Sequence, residues 1–217
     1  MTKGRIFYGG TFDPVHNGHI AIAEYVGKHF PAYSLLIAPV FVPPHKNLSG
    51  LLSFEHRFAM AEKAFGRMKN IEICDVEKER EGKSYSFDTL HILEKKYPGE
   101  EILLLIGGDS LFNLHTWYRA KDLARDFSVI VYPRPGQSIT PDVLVKNSWT
   151  ESEAEKLCAC ILDDVPLFPV SSTFIRSLYR EGKADEAEKY IPSSVAEYIR
   201  KNSLYSPFQK ENSLKNT

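Results

Sequence analysis

Two histidines, His16 and His19, close an eleven-residue stretch at residues 9–19 that reads GGTFDPVHNGH. Gly9 and Gly10 lack side chains, so backbone N–H groups in this stretch could approach a ligand closely. The histidines are three positions apart and share one face if both lie in the first turn of a helix. Because the N-terminus of a helix attracts anions, the stretch predicts a phosphate-binding site.

The flanking residues place this stretch between a strand and a helix. Residues 5–8 are a short apolar run that is typical of a strand, and a helix-like apolar pattern begins after Asn17, the expected N-cap. The stretch is neither the GxxxxGK[ST] nor the GxGxxG type of phosphate loop. Glycine pairs are also common in ordinary turns, and histidines at this spacing are common in cores and on surfaces, so the residues alone leave that alternative open.

A second group of anion-binding residues occurs at residues 171–176, which read SSTFIR. Ser172 and Thr173 supply hydroxyl groups at an expected helix start, and Arg176 lies one turn later on the same side. These residues predict a second site for phosphate groups. A capped helix with a surface arginine is the alternative.

Basic residues also follow the second expected strand, which lies in the apolar run at residues 34–42 and is expected to end near Ala38 because of Pro39. His45 and Lys46 come after two prolines, in a loop that leaves the carboxyl end of this strand, where open α/β sheets bind ligands. They would act as two phosphate donors, and a solvated loop with incidental charges is the alternative. Arg57, near the start of a helix expected at residues 53–68, would point into the site or face water.

The run at residues 102–106 is apolar throughout, which is typical of a strand buried on both faces of a parallel sheet. Gly107 and Asp109 follow it, where the backbone could approach a ligand and the carboxylate could accept hydrogen bonds from ribose hydroxyls. Trp117 would stack on a flat heteroaromatic ring, or else belong to the core. Arg134 follows the next expected strand, near the same face.

Strands and helices alternate along the chain, which predicts a single doubly wound α/β domain of Rossmann type. We expect this domain at residues 1–203 and a polar, frayed tail at residues 204–217. The charged run at residues 76–83 is typical of a solvated loop. Residues 137–163 show no chemistry and are interpreted as a candidate peripheral insertion.

The composition excludes several classes of protein. The chain has 217 residues, 43% of them hydrophobic, and a net charge of −1, so no global basic field favours nucleic acid. No apolar run is long enough to cross a membrane, and the N-terminal residues do not form a signal peptide. Cys74, Cys158 and Cys160 form no CxxC pair, which favours free thiols in a reducing cytoplasm over a zinc site that uses Cys158 and Cys160.

Several strings together resemble a known family. GGTFDPVHNGH resembles the T/HxGH signature of the nucleotidylyltransferase superfamily, and its full form resembles the bacterial nicotinate-nucleotide adenylyltransferases. SSTFIR resembles the superfamily's second signature, [IV]SSTx[IV]R. The strings PPHK, SYSFDTL and GGD at residues 43–46, 84–90 and 107–109 are similar to the family's PPHK, SYTxDTL and GAD. The resemblance covers roughly residues 4–200.

This resemblance implies that ATP and nicotinate mononucleotide react to give deamido-NAD and pyrophosphate, with Mg²⁺ bound through the ATP phosphates. It implies catalytic roles for His16, His19, Lys46 and Arg176. It implies ATP binding by Gly9, Gly10, Thr11, Phe12, His16, His19, Gly107, Asp109, Ser172, Thr173, Phe174 and Arg176. It implies binding of the mononucleotide by Thr11, His45, Lys46, Arg57, Tyr85, Ser86, Trp117 and Arg134. In the family, backbone amides near the position of Ser86 bind the pyridine carboxylate.

Three other functions stay open at this point. A pantetheine-phosphate adenylyltransferase shares both signatures, although that family is shorter and usually lacks the GG and PPHK strings. A cytidylyltransferase would use CTP, and its second signature differs from SSTFIR. A catalytically silent nucleotide-binding regulator would not need the intact histidines. The choice between nicotinate and nicotinamide mononucleotide, and between a monomer and a small homo-oligomer, is also left open by the sequence.

Overall fold

The computed structural model describes residues 3–43, 50–78, 82–136 and 138–206. Within these ranges one five-stranded parallel sheet has the order β3-β2-β1-β4-β5. Its strands are β1 (Gly4–Gly10), β2 (Tyr33–Pro39), β3 (Ile71–Ile73), β4 (Glu101–Gly107) and β5 (Ser128–Tyr132). The chain builds outwards from β1 in one direction and then returns to add β4 on its other side. The strand order therefore reverses between β1 and β4, the point at which open α/β sheets bind ligands.

Helices cover both faces of this sheet. They are α1 (Asn17–His29), α2 (Phe54–Phe65), α3 (Ser86–Lys96), α4 (Gly108–Phe112), α5 (Ala120–Asp126), α6 (Pro141–Lys146), α7 (Glu151–Cys158), α8 (Ser172–Arg180), α9 (Ala184–Ala187) and α10 (Ser193–Lys201). In the described ranges, no helix combines the length and the apolar composition that a membrane span requires.

Alternate residues of each strand pack into two separate hydrophobic clusters, because successive side chains of a strand point to opposite faces of the sheet. Ile6 of β1 packs in the cluster beneath α1, α2, α8 and α10. Phe7, the next residue, packs in the cluster beneath α3 and α5. This arrangement explains why the strands are apolar on both faces, and it confirms the prediction of a doubly wound parallel sheet.

Residues 138–163 contribute four buried side chains to the core at the β5 edge of the sheet. Leu144 of α6 and Leu157 of α7 are buried in the same cluster as the side chains of β4. Ile161 forms an isolated parallel bridge with Val131, which extends the sheet locally. The described part of the expected peripheral insertion is therefore built into the domain. Among the described residues, no group of three His, Cys, Asp or Glu side chains could hold a metal ion, and the three cysteines are free thiols.

The end of the domain was predicted wrongly. Leu204 and Tyr205, which we expected in a frayed polar tail, are 4% and 6% exposed and lie in the cluster beneath α8 and α10. Apolar side chains at these two positions bury against the core even though the surrounding sequence is polar. The boundary at residue 203 is therefore too early by at least two residues, and residues 207–217 lie outside the described ranges.

Candidate active site

A cavity of about 640 Å³ opens at the carboxyl ends of β1 and β4, at the reversal of strand order. Many of the residues that the sequence predicted as a site line it together. They are Gly9, Gly10, Thr11, Phe12, His16, His19, Tyr85, Ser86, Gly107, Asp109, Trp117 and Arg134. The fold thus brings together groups that are more than 100 residues apart in the chain.

His16 and His19 form a pair at the start of α1. Their rings are stacked, with centroids 3.6 Å apart and planes at 17°. The Nδ1 atom of His16 accepts a hydrogen bond from the backbone N–H of His19 at 3.3 Å, and the Nδ1 atom of His19 accepts one from the backbone N–H of His16 at 3.1 Å. This reciprocal capping box fixes both rings to the helix terminus. The N-cap of α1 is therefore His16, and the prediction of Asn17 as the cap was wrong.

These hydrogen bonds also determine the tautomer of each ring. A neutral imidazole that accepts at Nδ1 carries its proton on Nε2. Burial lowers the pKa of His16 to about 3, and the positive charge of Arg134 acts in the same direction. His16 is therefore neutral at physiological pH, and it offers an Nε2–H donor rather than a charge.

Phe12 is buried against this pair at the wall of the cavity. It is 1% exposed, and the centroids of its ring and that of His19 are 5.0 Å apart in an edge-on contact. A Cβ atom on Gly10 would come within 2.8 Å of the Phe12 ring. Gly10 is therefore required for the packing that supports His19, in addition to any role in ligand approach.

The two anion-binding segments of the sequence are in direct contact. Arg176 donates from Nη1 to the backbone oxygen of Asp13 at 2.7 Å, and from Nη2 to the hydroxyl of Thr173 at 3.2 Å. The hydroxyl of Ser172 donates to the backbone oxygen of Pro14 at 2.9 Å. The N-terminus of α8 is thus joined to the loop that carries His16, across about 160 residues of chain.

The α8 residues contact this loop and are not among the residues that line the cavity. The Arg176 side chain is 21% exposed. The ring of Phe174, predicted to bind ATP, is 39% exposed and makes an edge-on contact with Tyr190 at 5.3 Å. The structure therefore places the Phe174 ring in a surface contact, outside the residues that line the cavity, and its role in ATP binding stays a prediction.

Arg57 is also placed differently from the prediction. Its side chain is 1% exposed and does not line the cavity. It donates hydrogen bonds to the backbone oxygens of Leu52, Thr11 and Phe41 at 3.1, 3.0 and 3.3 Å. Desolvation by burial lowers the pKa of this guanidinium. These hydrogen bonds occupy the Arg57 guanidinium, which therefore fixes the loops around the cavity and is not available to a substrate.

One end of the cavity carries an ion pair. The Nε atom of Arg134 lies 3.3 Å from a carboxylate oxygen of Asp109, and Nη1 donates to the backbone oxygen of Val170 at 3.3 Å. Arg134 also lies over Gly107, where a Cβ atom would be 3.9 Å from the Nε atom of the arginine. More than half of the Asp109 side chain is exposed, so its carboxylate is accessible to a ligand.

Aromatic rings line another part of the cavity. The rings of Tyr85 and Tyr118 are 4.7 Å apart at 34°, and Trp117 lies beside them, partly buried. Ser86 begins α3, and the side chain of its cap residue, Tyr85, makes no hydrogen bond to the first turn. The Tyr85 side chain therefore does not occupy the first amides of this eleven-residue helix.

Sequence reasoning missed three residues here. Tyr118 is half exposed and lines the cavity. Its position next to Trp117, a predicted site residue, could have identified it from the sequence. Glu77 is 3% exposed and also lines the cavity, although the run at residues 76–83 was predicted to be a solvated loop. Nothing in the local sequence marks Tyr205, whose partner is 192 residues away. His45 and Lys46 lie outside the described residues.

Comparison with known proteins agrees with this geometry. Residues 7–178 match the family model described as Cytidylyltransferase-like. The nicotinate-nucleotide adenylyltransferase of Bacillus subtilis (strain 168) is 34% identical over 206 residues, covering 94% of this chain and 99% of that protein. A protein of Geotalea uraniireducens (strain Rf4), described as a probable nicotinate-nucleotide adenylyltransferase, is 34% identical over 209 residues, covering 91% of this chain and 96% of that protein.

The fold is also shared with a solved structure. The nicotinic acid mononucleotide adenylyltransferase of Plasmodium falciparum, complexed with NaAD, aligns with a TM-score of 0.76 at 20% identity, covering 96% of this chain and all of that one. The curated relatives span nearly the whole chain at more than 30% identity. The chain therefore belongs to the cytidylyltransferase-like family and, within it, to the nicotinate-nucleotide adenylyltransferases.

Proposed function

We propose that the protein transfers the adenylyl group of ATP to nicotinate mononucleotide, giving deamido-NAD and pyrophosphate. The observation that carries this proposal is the pair formed by His16 and His19, whose reciprocal caps leave the Nε2 protons as donors in the wall of the cavity. The names of the full-length relatives supply the substrates.

The reaction needs no covalent intermediate on the protein. A phosphate oxygen of the mononucleotide is already an anionic nucleophile, so it attacks the α-phosphorus of ATP in line while pyrophosphate leaves. The protein must then hold two polyanions in this geometry and stabilise the charge that develops on the α- and β-phosphate oxygens. His19 would donate to the α-phosphate, and His16 to the phosphate beside it. Because both rings are fixed by backbone hydrogen bonds, they need little reorganisation during the reaction.

The two ends of the cavity suit the two substrates. Gly107 and Asp109 would hold the adenosine, since an exposed carboxylate beside a glycine turn suits ribose hydroxyls. Trp117 and Tyr85 would hold the pyridine ring, and the first amides of α3, at Ser86, would bind its carboxylate. Arg134, which is paired with Asp109, fits the adenosine end better than the mononucleotide end to which the sequence assigned it.

Three further groups would bind or neutralise the remaining phosphate charge of the two substrates. Thr173 and Arg176 would hold the β- and γ-phosphates, after Arg176 exchanges part of its present hydrogen bonding for the ligand. His45 and Lys46 would neutralise the incoming phosphate and the leaving group. Mg²⁺ would be bound through the ATP phosphates, where it supplies charge neutralisation, while Thr173 and Arg176 orient the same phosphates. These small-molecule substrates also support a cytoplasmic location.

Pyrophosphate release from ATP and Mg²⁺ tests this proposal, with nicotinate mononucleotide, nicotinamide mononucleotide and phosphopantetheine as parallel acceptors. Release dominated by nicotinate mononucleotide is the expected result. Release dominated by nicotinamide mononucleotide would keep the chemistry and overturn the proposed carboxylate contact at α3. Release only with phosphopantetheine, or with none of the three, would overturn the proposed function.

A further inference from the structure

Glu77 presents a problem of charge. The residue is 3% exposed and lines a cavity that we propose to hold two polyanions. A carboxyl group buried at such a place is costly to desolvate unless its oxygens are hydrogen-bonded. Its contacts therefore have to supply something that the site needs.

The first contact is with the loop that follows β2. A carboxylate oxygen of Glu77 accepts a hydrogen bond from the backbone N–H of Phe41 at 3.1 Å. The carbonyl oxygen of Phe41 accepts one from the buried guanidinium of Arg57 at 3.3 Å. Phe41 is thus held at its N–H by the buried Glu77 carboxyl group and at its carbonyl by the buried Arg57 guanidinium. Both backbone polar groups of this residue are paired, so the loop is fixed here.

The second contact is with the start of α3. The other carboxylate oxygen of Glu77 accepts from the hydroxyl of Thr89 at 3.3 Å. The same hydroxyl lies 3.1 Å from the backbone oxygen of Tyr85, the N-cap of α3. Glu77 therefore connects Phe41 to the helix terminus whose first residue, Ser86, lines the cavity.

Two further hydrogen bonds connect the loop after β2 to the residues before α3. The N–H of Val42 donates to the hydroxyl of Ser84 at 3.3 Å, and the N–H of Ser84 donates to the carbonyl of Val42 at 3.0 Å. On the other side, the N–H of Val40 donates to the carbonyl of Gly10 at 2.9 Å. The end of β1, the loop after β2 and the N-terminus of α3 thus form one hydrogen-bonded rim around the cavity.

We propose that Glu77 is a positioning residue for the acceptor nucleotide, acting through this rim, which we define as residues 40–42 and 84–86. This inference rests on the proposed function for the identity of the acceptor. Glu77 acts through hydrogen bonding and not through its charge. It holds the first amides of α3 in register with residues 40–42, so the pyridine carboxylate meets a fixed surface.

Four variants separate this role from a general loss of structure. Glu77→Ala removes both of these hydrogen bonds. Thr89→Val removes the hydroxyl that bonds to Glu77 and to the backbone oxygen of Tyr85, and leaves the bond to Phe41 in place. Glu77→Gln is the conservative variant, because its carboxamide oxygen accepts from Phe41 and its amide group donates to Thr89. Glu72→Ala is the matched control, since it removes a carboxylate from β3 that is half exposed and paired with Arg5.

Initial-rate kinetics give the first readout. We expect Glu77→Ala to raise the KM for nicotinate mononucleotide by roughly 10-fold or more, with the KM for ATP unchanged within about 2-fold. Thr89→Val should raise the acceptor KM less, Glu77→Gln should restore it, and Glu72→Ala should leave both values unchanged. Equal rises in both KM values for Glu77→Ala, or a Glu77→Gln variant as impaired as Glu77→Ala, would overturn the proposal.

Amide hydrogen exchange of the protein without substrates gives a readout that does not depend on the activity. Exchange at Phe41 and Ser84 should rise by roughly 10-fold or more in Glu77→Ala and stay near wild type in Glu77→Gln, while exchange in α8 is unchanged. Unchanged exchange at Phe41 would overturn the proposed rim. If the wild type releases no pyrophosphate with the pyridine nucleotides, the proposed function fails, whereas this measurement still decides whether Glu77 holds the rim.

Discussion

The hydroxyl of Tyr205 donates a hydrogen bond to a carboxylate oxygen of Asp13 at 2.7 Å, and the two residues are 192 positions apart. Asp13 is 1% exposed, and its backbone oxygen accepts the hydrogen bond from Arg176. Burial, and then the Asp13 carboxylate, raise the pKa of Tyr205, so this hydroxyl keeps its proton. The last described turn of the chain thus holds the loop that carries the first histidine.

Tyr205→Phe should destabilise the fold, because it removes a donor from a buried carboxylate and leaves the ring in place. The expected loss in the free energy of unfolding is about 1–3 kcal/mol, as is typical when a buried acceptor loses its partner. Urea unfolding measures this loss. The control is Tyr25→Phe, which removes a hydroxyl bonded to Asp163 at the surface. Equal stabilities of the two variants would contradict a structural role for the Tyr205 hydroxyl.

His19→Ala should lower kcat by roughly 100-fold or more, in line with the loss of one preorganised donor. The variant also removes the acceptor for the N–H of His16, so its circular dichroism and its unfolding midpoint must be measured alongside. His29→Ala is the matched control, because that ring stacks on Tyr25 at the other end of α1. A kcat near the wild-type value in a folded His19→Ala protein would remove His19 from the mechanism.

The sequence predicted those parts of the site that local patterns encode. Glycine turns, a strand followed by a helix, and the position of Trp117 all depend on neighbours within a few residues, and the structure places them around one cavity. The alternation of strands and helices along the chain likewise predicted a doubly wound sheet. Continuous apolar strands support the same prediction, because they require cover on both faces of the sheet.

The contacts that fix the site are long-range and leave no local signal. Glu77 sits in a charged run, and its burial depends on Phe41 and Thr89, which the sequence does not place beside it. In the sequence Arg57 cannot be distinguished from any other helical arginine. Its burial depends on three backbone carbonyl oxygens that the fold brings to its guanidinium. His16 acts as the N-cap of α1 because its ring and that of His19 each accept a hydrogen bond from the other residue's backbone N–H. Asn17 has the stronger N-cap propensity, so the sequence predicted the cap at the wrong residue.

Arg176→Ala should mainly raise the KM for ATP, because we place this guanidinium on the β- and γ-phosphates. Its hydrogen bond to the backbone oxygen of Asp13 is also lost, so a modest fall in stability should accompany the change. Arg180→Ala, at the other end of the same helix, controls for charge. An unchanged KM for ATP in Arg176→Ala would leave this arginine with the structural contact alone.

His16 should make the stability of the fold depend on pH. The pKa of His16 is about 3 in the folded protein and near 6.5 when exposed, so between these values the unfolded chain binds a proton that the folded one does not. The free energy of unfolding should therefore fall as the pH drops below about 6.5, with a slope from this group of at most about 1.4 kcal/mol per pH unit.

His16→Asn isolates this contribution, because asparagine caps a helix and does not titrate. Urea unfolding of both proteins from pH 7.5 to pH 5 gives the difference in their free energies of unfolding, in which the other titrating groups largely cancel. Any advantage of the wild type should shrink as the pH falls, since only the wild type has to keep a buried histidine neutral. A difference that stays constant over this range would mean that His16 keeps an ordinary pKa in the folded state. His16 would then not act as a neutral donor at physiological pH.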